Sequence, residues 1–195
     1  SISRCDVVVG GRLIFAANNG LSGQELWSTD GTTTRQLADV HPGAIGSGPR
    51  FFTRIGNQAV FVASNGRNGA ELYRTNGTTV SAALVRDLQP GPKGSGIHDL
   101  VAVGNRVFFA AGTSTTGAEL YAFDSTTLTV SLVRDIRPGR QGSHPHALAA
   151  RGNRILFAAD NGVSGAEVWS SDGTAAGTTL IDLPPRGHGS EPNEF

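Results

Sequence analysis

Apolar residues occur along this chain in short runs of roughly four to eight residues, separated by polar stretches rich in Gly, Asn, Asp and Thr. No segment sustains apolar positions at i, i+3, i+4 and i+7, so the pattern predicts β-strands and no amphipathic helix. Residues 95–142 show this most clearly. HDLVAV (98–103) ends at Gly104-Asn105, and RVFFAA (106–111) follows at once. Two apolar runs across such a pair predict a hairpin, because both turn residues tolerate positive φ. A polar loop (112–117) leads to AELYAF (118–123), a turn at Asp124-Ser125, and a fourth run, TVSLVRDI (129–136), closed by a Pro-Gly loop.

The same order of signals recurs. GQELWSTDGT (23–32), GAELYRTNGT (69–78), GAELYAFDST (117–126) and GAEVWSSDGT (165–174) place Glu25, Glu71, Glu119 and Glu167 at intervals of 46, 48 and 48 residues. A fixed period of this size marks a repeat architecture. Aligning on Ser47, Ser95, Ser143 and Ser190 gives four units, 1–46, 47–94, 95–142 and 143–189, followed by a stub at 190–195. Each unit of about 47 residues is expected to be a four-stranded antiparallel meander, the size of one propeller blade. Runs such as VFFAA (107–111) and ILFAA (155–159) are apolar on both faces, where a sheet wet on one side would alternate with polar residues. Both faces must therefore be covered, and the expected fold is all-β, a four-bladed β-propeller forming one domain over 1–195. An open array or a slice of a larger ring is the competing arrangement.

GQELWSTDGT and GAEVWSSDGT, with LFAADNGVSG before the latter and GTTLIDLPP after it, resemble the bacterial ELWxxDGT-repeat proteins. The resemblance covers all four units. It departs in the middle ones, where Tyr73 and Tyr121 replace Trp and Asp124-Ser125-Thr126 replaces Asp-Gly-Thr. It implies a secreted or cell-surface bacterial protein with propeller-type repeats, and it implies no reaction. Four units of this length are also similar in architecture to hemopexin-like four-bladed propellers, which implies an axial channel able to hold calcium or another ion.

Composition narrows the function classes. Acidic and basic residues balance at 16 each, leaving no net field for nucleic acid. No apolar run approaches the ~18 residues a membrane-spanning helix needs, and the single cysteine, Cys5, excludes an internal disulfide. A monomer or small homo-oligomer is expected.

Glu25, Glu71, Glu119 and Glu167 each lie two residues from Trp27, Tyr73, Tyr121 or Trp169, hence on the same strand face. One reading makes these pairs sugar-binding pockets, a carboxylate beside an aromatic stacking surface. The other makes them packing elements, the glutamate holding turn amides and the ring filling the inter-blade core. Repetition in every unit favours packing. Asp39, Asp87, Asp135 and Asp182 each open an Asp-x-x-Pro loop, a set readable as calcium ligands or as caps of their own loops. The cap reading is favoured, since no Asp-x-Asp-x-Asp-Gly ladder is present. His144 and His146, with His188 from a later loop, form a second candidate metal set set against solvated loop histidines. No serine elbow or acid–base pair stands out. The expected function is thus a non-catalytic extracellular binding or adhesion module, with glycan as first ligand class. A scaffold for protein partners or inhibition, and a hydrolase or lyase with an axial site, are the alternatives.

Overall fold

The computed structural model describes residues 6–78 and 82–181, all of them in strands, turns and loops with no helix. Among the described residues, sixteen strands form four antiparallel sheets, each joined in plain chain order. The first holds β1 (Asp6–Val9), β2 (Arg12–Asn18), β3 (Gln24–Thr29) and β4 (Thr34–Ala38). The second holds β5 (Arg50–Ile55), β6 (Gln58–Ser64), β7 (Ala70–Thr75) and β8 (Ala83–Arg86). The third is β9 (His98–Val103), β10 (Arg106–Thr113), β11 (Gly117–Asp124) and β12 (Thr129–Arg134). The fourth is β13 (His146–Arg151), β14 (Arg154–Asp160), β15 (Ala166–Ser171) and β16 (Thr179–Leu180). The architecture is all-β and built of four propeller-type blades, as the repeat predicts.

Local chemistry explains these elements. The first hairpin of each blade closes through two residues, and Gly56, Gly104 and Gly152 sit at φ of 56°, 60° and 61°. Glycine at the first central position of a two-residue turn is the II′ arrangement, whose twist matches the flanking strands. The asparagine beside each glycine stays out of the positive-φ region, so one left-handed residue per turn suffices. The predicted fourth strand of the third unit stops at Arg134, two residues short of Ile136. The N–H groups of Ile136 and Arg137 leave the ladder and donate to the Glu119 carboxylate.

The chain divides into two compact units, one within Ile2–Ile97 and one within His98–Phe195. Each contains two blades packed face to face. In the first unit, Val9, Ile14, Leu26 and Leu37 of blade one meet Phe52, Ala59, Phe61, Ala63 and Tyr73 of blade two. In the second, Phe108, Leu120, Ala122, Val133 and Ile136 meet Ile155, Phe157, Ala159 and Trp169. A buried β10 core of Val107, Phe108, Phe109, Ala110 and Ala111, all at 0–1% exposure, shows why its sequence does not alternate. Small alanines let the sheets approach, and the buried aromatic rings and aliphatic side chains remove apolar area from water.

Candidate functional site

Glu25, Glu71 and Glu119 are fully buried on the third strand of their blades. Glu25 accepts hydrogen bonds from the N–H groups of Val40 (2.9 Å) and His41 (3.1 Å) and from both the N–H (2.8 Å) and hydroxyl (2.6 Å) of Ser47. Glu119 repeats this with Ile136, Arg137 and Ser143, the serine hydroxyl donating at 2.5 Å. Glu71 holds Leu88 N–H (3.3 Å) and the Ser95 hydroxyl (2.6 Å). Each carboxylate thus pins the loop leaving its blade and the first serine of the next repeat. Desolvation pushes the Glu71 and Glu119 carboxyls above the usual carboxylate range, opposed by the serine hydroxyl and the loop amides. Glu167 is half-buried, and the loop corresponding to those partners lies outside the described residues.

The paired rings are inside as well. Tyr73, Tyr121 and Trp169 are 4–6% exposed. Tyr73 lies 5.9 Å from Phe61 and Tyr121 lies 6.1 Å from Phe109, each across the ladder between the second and third strands. Trp169 donates its indole N–H to the Ala159 carbonyl at 3.1 Å. Trp27 alone is half-buried. Stacking faces for a sugar are therefore closed at Tyr121 and Trp169, Tyr73 borders only a cleft between blades, and three of the four glutamates hold backbone groups.

The described metal candidates, Asp39, Asp87, Asp135, His144 and His146, form no ligand set. Asp87 accepts from the Asn68 amide at 2.5 Å. Asp87 and Asp135 each keep one buried oxygen without a protein partner, far short of the roughly six to eight oxygens calcium takes. Asp39 is exposed. His146 Nδ1 pairs with the His144 carbonyl at 3.0 Å. Among the described residues no three His, Cys, Asp or Glu side chains form a metal-binding group; Asp182 and His188 lie outside those residues.

Among the groups that reach solvent are the loops that join the second strand to the third and the fourth to the next blade. In every described case two loops are zipped together: a Cβ on Gly23 would meet Gly46 N at 2.4 Å, and one on Gly69 would meet Gly94 N at 2.1 Å. Both sides of this contact need glycine, and the tips beyond it differ between units at Leu21, Arg67 and Val163 in one loop and at Ile45, Lys93 and Gln141 in the other. Leu21 and Ile45 cap blade one at 81% and 82% exposure, and Val163 caps blade four at 89%. Arg67 and Lys93, also exposed, occupy the corresponding tips of blade two. Sequence reading passed over these positions because a lone apolar residue in a Gly-rich loop gives no periodic signal.

A second feature is a cleft of about 700 Å³ between blades one and two, lined by Gln36, Ala38, Asp39, Tyr73, Ala82 and Leu84. Burial, then the carboxylates of Glu71, Asp87 and Glu25, push the Tyr73 phenol upward. Its signal was in the repeat column holding Ala38, Arg86 and Arg134, which pair with Leu26, Leu72 and Leu120 in register.

No protein-family model and no curated protein matches the chain. Solved structures share the fold. A puromycin hydrolase S511A mutant aligns over 91% of this chain at TM-score 0.58 and 17% identity. TolB from Acinetobacter baumannii aligns over 87% at 0.53 and 13%, and the Niastella koreensis GH74 enzyme over 92% at 0.57 and 15%. The chain spans 29%, 40% and 29% of those proteins' lengths, and identities this low speak to fold alone.

Proposed function

We propose that this chain is a non-catalytic interaction module of a secreted or cell-surface bacterial protein, binding a protein partner through its loop tips. The observation that carries the proposal is the division of labour within each repeat. Glu25, Glu71, Glu119 and the zipped glycines, which the units share, are consumed inside the blade, whereas Leu21, Ile45, Arg67 and Lys93, which differ between units, stand in solvent. Exposed Leu21 and Ile45 at the tips of blade one and exposed Arg67 and Lys93 at the tips of blade two combine apolar and basic groups, a composition suited to a partner surface. Rigid blades presenting variable tips need little ordering on association.

Glycan binding at the Glu–aromatic pairs is the reading this displaces, because burial removes most of those groups from a ligand's reach. The extracellular setting rests on the resemblance of the repeats. Capture of extracellular proteins by the immobilised chain, compared with a Leu21→Asp, Ile45→Asp double variant, tests the proposal. A partner retained by the parent and lost by the variant at unchanged melting temperature supports it. Glycan-array binding that the double variant keeps would overturn it.

A further inference from the structure

The two units carry the same inter-blade cleft, and only one of them fills it. In the second unit Arg134 lies over the face of Trp169, its guanidinium carbon 5.8 Å from the ring centroid. It also donates to the Thr178 carbonyl at 2.5 Å. The ladder registers map each part onto the first unit. Ala38 stands opposite Leu26 as Arg134 stands opposite Leu120. Tyr73 pairs with Phe61 as Trp169 pairs with Phe157. Tyr73 pairs with Leu84 as Trp169 pairs with Leu180, which puts Ala82 at the position of Thr178. The first unit therefore keeps the ring and the place of the accepting carbonyl. It lacks the cation, and the space is the open cleft of about 700 Å³.

We infer that this cleft binds the guanidinium group of an arginine side chain supplied by a peptide or protein partner. Three features fit that ligand. The tyrosine offers the aromatic surface that Trp169 offers Arg134, and a guanidinium stacks on such a surface while its stem lies against apolar walls, here Leu84 and Ala82. Asp39 lines the same cleft with an exposed carboxylate, and Gln36, where the second unit has Leu132, adds an amide. The carboxylates that act on the Tyr73 phenol create a local negative potential, which favours a cation and disfavours an anion. This site is distinct from the loop tips and stands whether or not they bind.

The test is an NMR titration of the full chain with three probes: N-acetyl-arginine methylamide, its neutral citrulline counterpart, and a short peptide with one central arginine flanked by apolar residues. Saturable shifts centred on Tyr73 and Leu84, at least tenfold weaker for citrulline and strongest for the peptide, are expected. Ala38→Arg should abolish them with the fold intact, since arginine is native to the same register at positions 86 and 134. Asp39→Asn, an exposed change, should weaken binding several-fold and serves if Ala38→Arg fails to fold. Absence of saturable shifts, equal binding of citrulline, or undiminished binding by a folded Ala38→Arg chain would overturn the assignment. Equal affinity for the small amide and the peptide would overturn the partner's peptide nature and assign the cleft to a free guanidinium compound.

Discussion

The Ser143 hydroxyl donates to the Glu119 carboxylate at 2.5 Å, and the Ser143 N–H donates to the same group at 2.9 Å. One acidic side chain on β11 thereby fastens the residue that opens the next repeat, 24 positions along the chain. The contact recurs between Glu25 and Ser47 and, through the hydroxyl, between Glu71 and Ser95.

Glu119→Gln replaces an acceptor oxygen by an NH2 that faces N–H donors. The strain of a buried donor left unsatisfied costs about 1–3 kcal/mol, so a melting temperature several degrees lower is expected. Unchanged melting would show that the loop does not depend on this carboxylate.

Replacing Gly94 by Ala should be far more damaging than replacing Gly91. Both sit at positive φ, 67° and 106°, where an L-residue is strained by roughly 1–3 kcal/mol. A Cβ at Gly94 also meets backbone Ala70 N at 2.4 Å, while one at Gly91 meets nothing within 4 Å. Equal denaturation midpoints for the two variants would show that the loop zipper is not close-packed.

Trp169→Ala should cost about 3–5 kcal/mol as an aromatic core deletion. Trp27→Ala should cost clearly less, because that ring is half-buried and its indole N–H is buried without an acceptor. Chemical denaturation of both variants measures the difference, and a larger loss for Trp27 would contradict the burial pattern.

Stability at acid pH should follow the turn aspartates. Backbone and side-chain hydrogen bonds from Thr33 and Thr32 lower Asp30, Thr126 N–H lowers Asp124, and the Thr174 hydroxyl and N–H lower Asp172. A carboxyl held below its unfolded value of 3.8 contributes stability above that pH and loses it as pH falls through the folded value. The triple variant Asp30→Asn, Asp124→Asn, Asp172→Asn should therefore lose less melting temperature than the parent on acidification below pH 3.8. Asparagine already serves the equivalent turn at Asn76, where its side chain accepts from Thr78. Parallel melting curves for parent and variant would refute the assignment.

Much of this protein was legible residue by residue. The Gly-Asn pairs mark hairpins because glycine alone enters the II′ turn without strain, and β9 begins and ends at the predicted His98 and Val103. The expected fourth strand runs past Arg134 because Ile136 continues the alternation of Val130 and Leu132, and nothing local announces that Ile136 will donate to a glutamate 17 positions earlier. The Glu–aromatic pairs were visible as pairs; their burial was not, since the same spacing serves a surface pocket and a core.

The sequence alone determined the repeat, the strand order and the need to cover both sheet faces, because hydrophobic period and turn chemistry are local properties of consecutive residues. Tertiary structure decided which of those residues meet solvent. Ala38 reads as an unremarkable small residue until Tyr73, 35 positions away in sequence, is placed beside it and the missing arginine becomes a cleft. Exposure and cavities belong to pairs of distant segments, and only the packed chain brings those segments together.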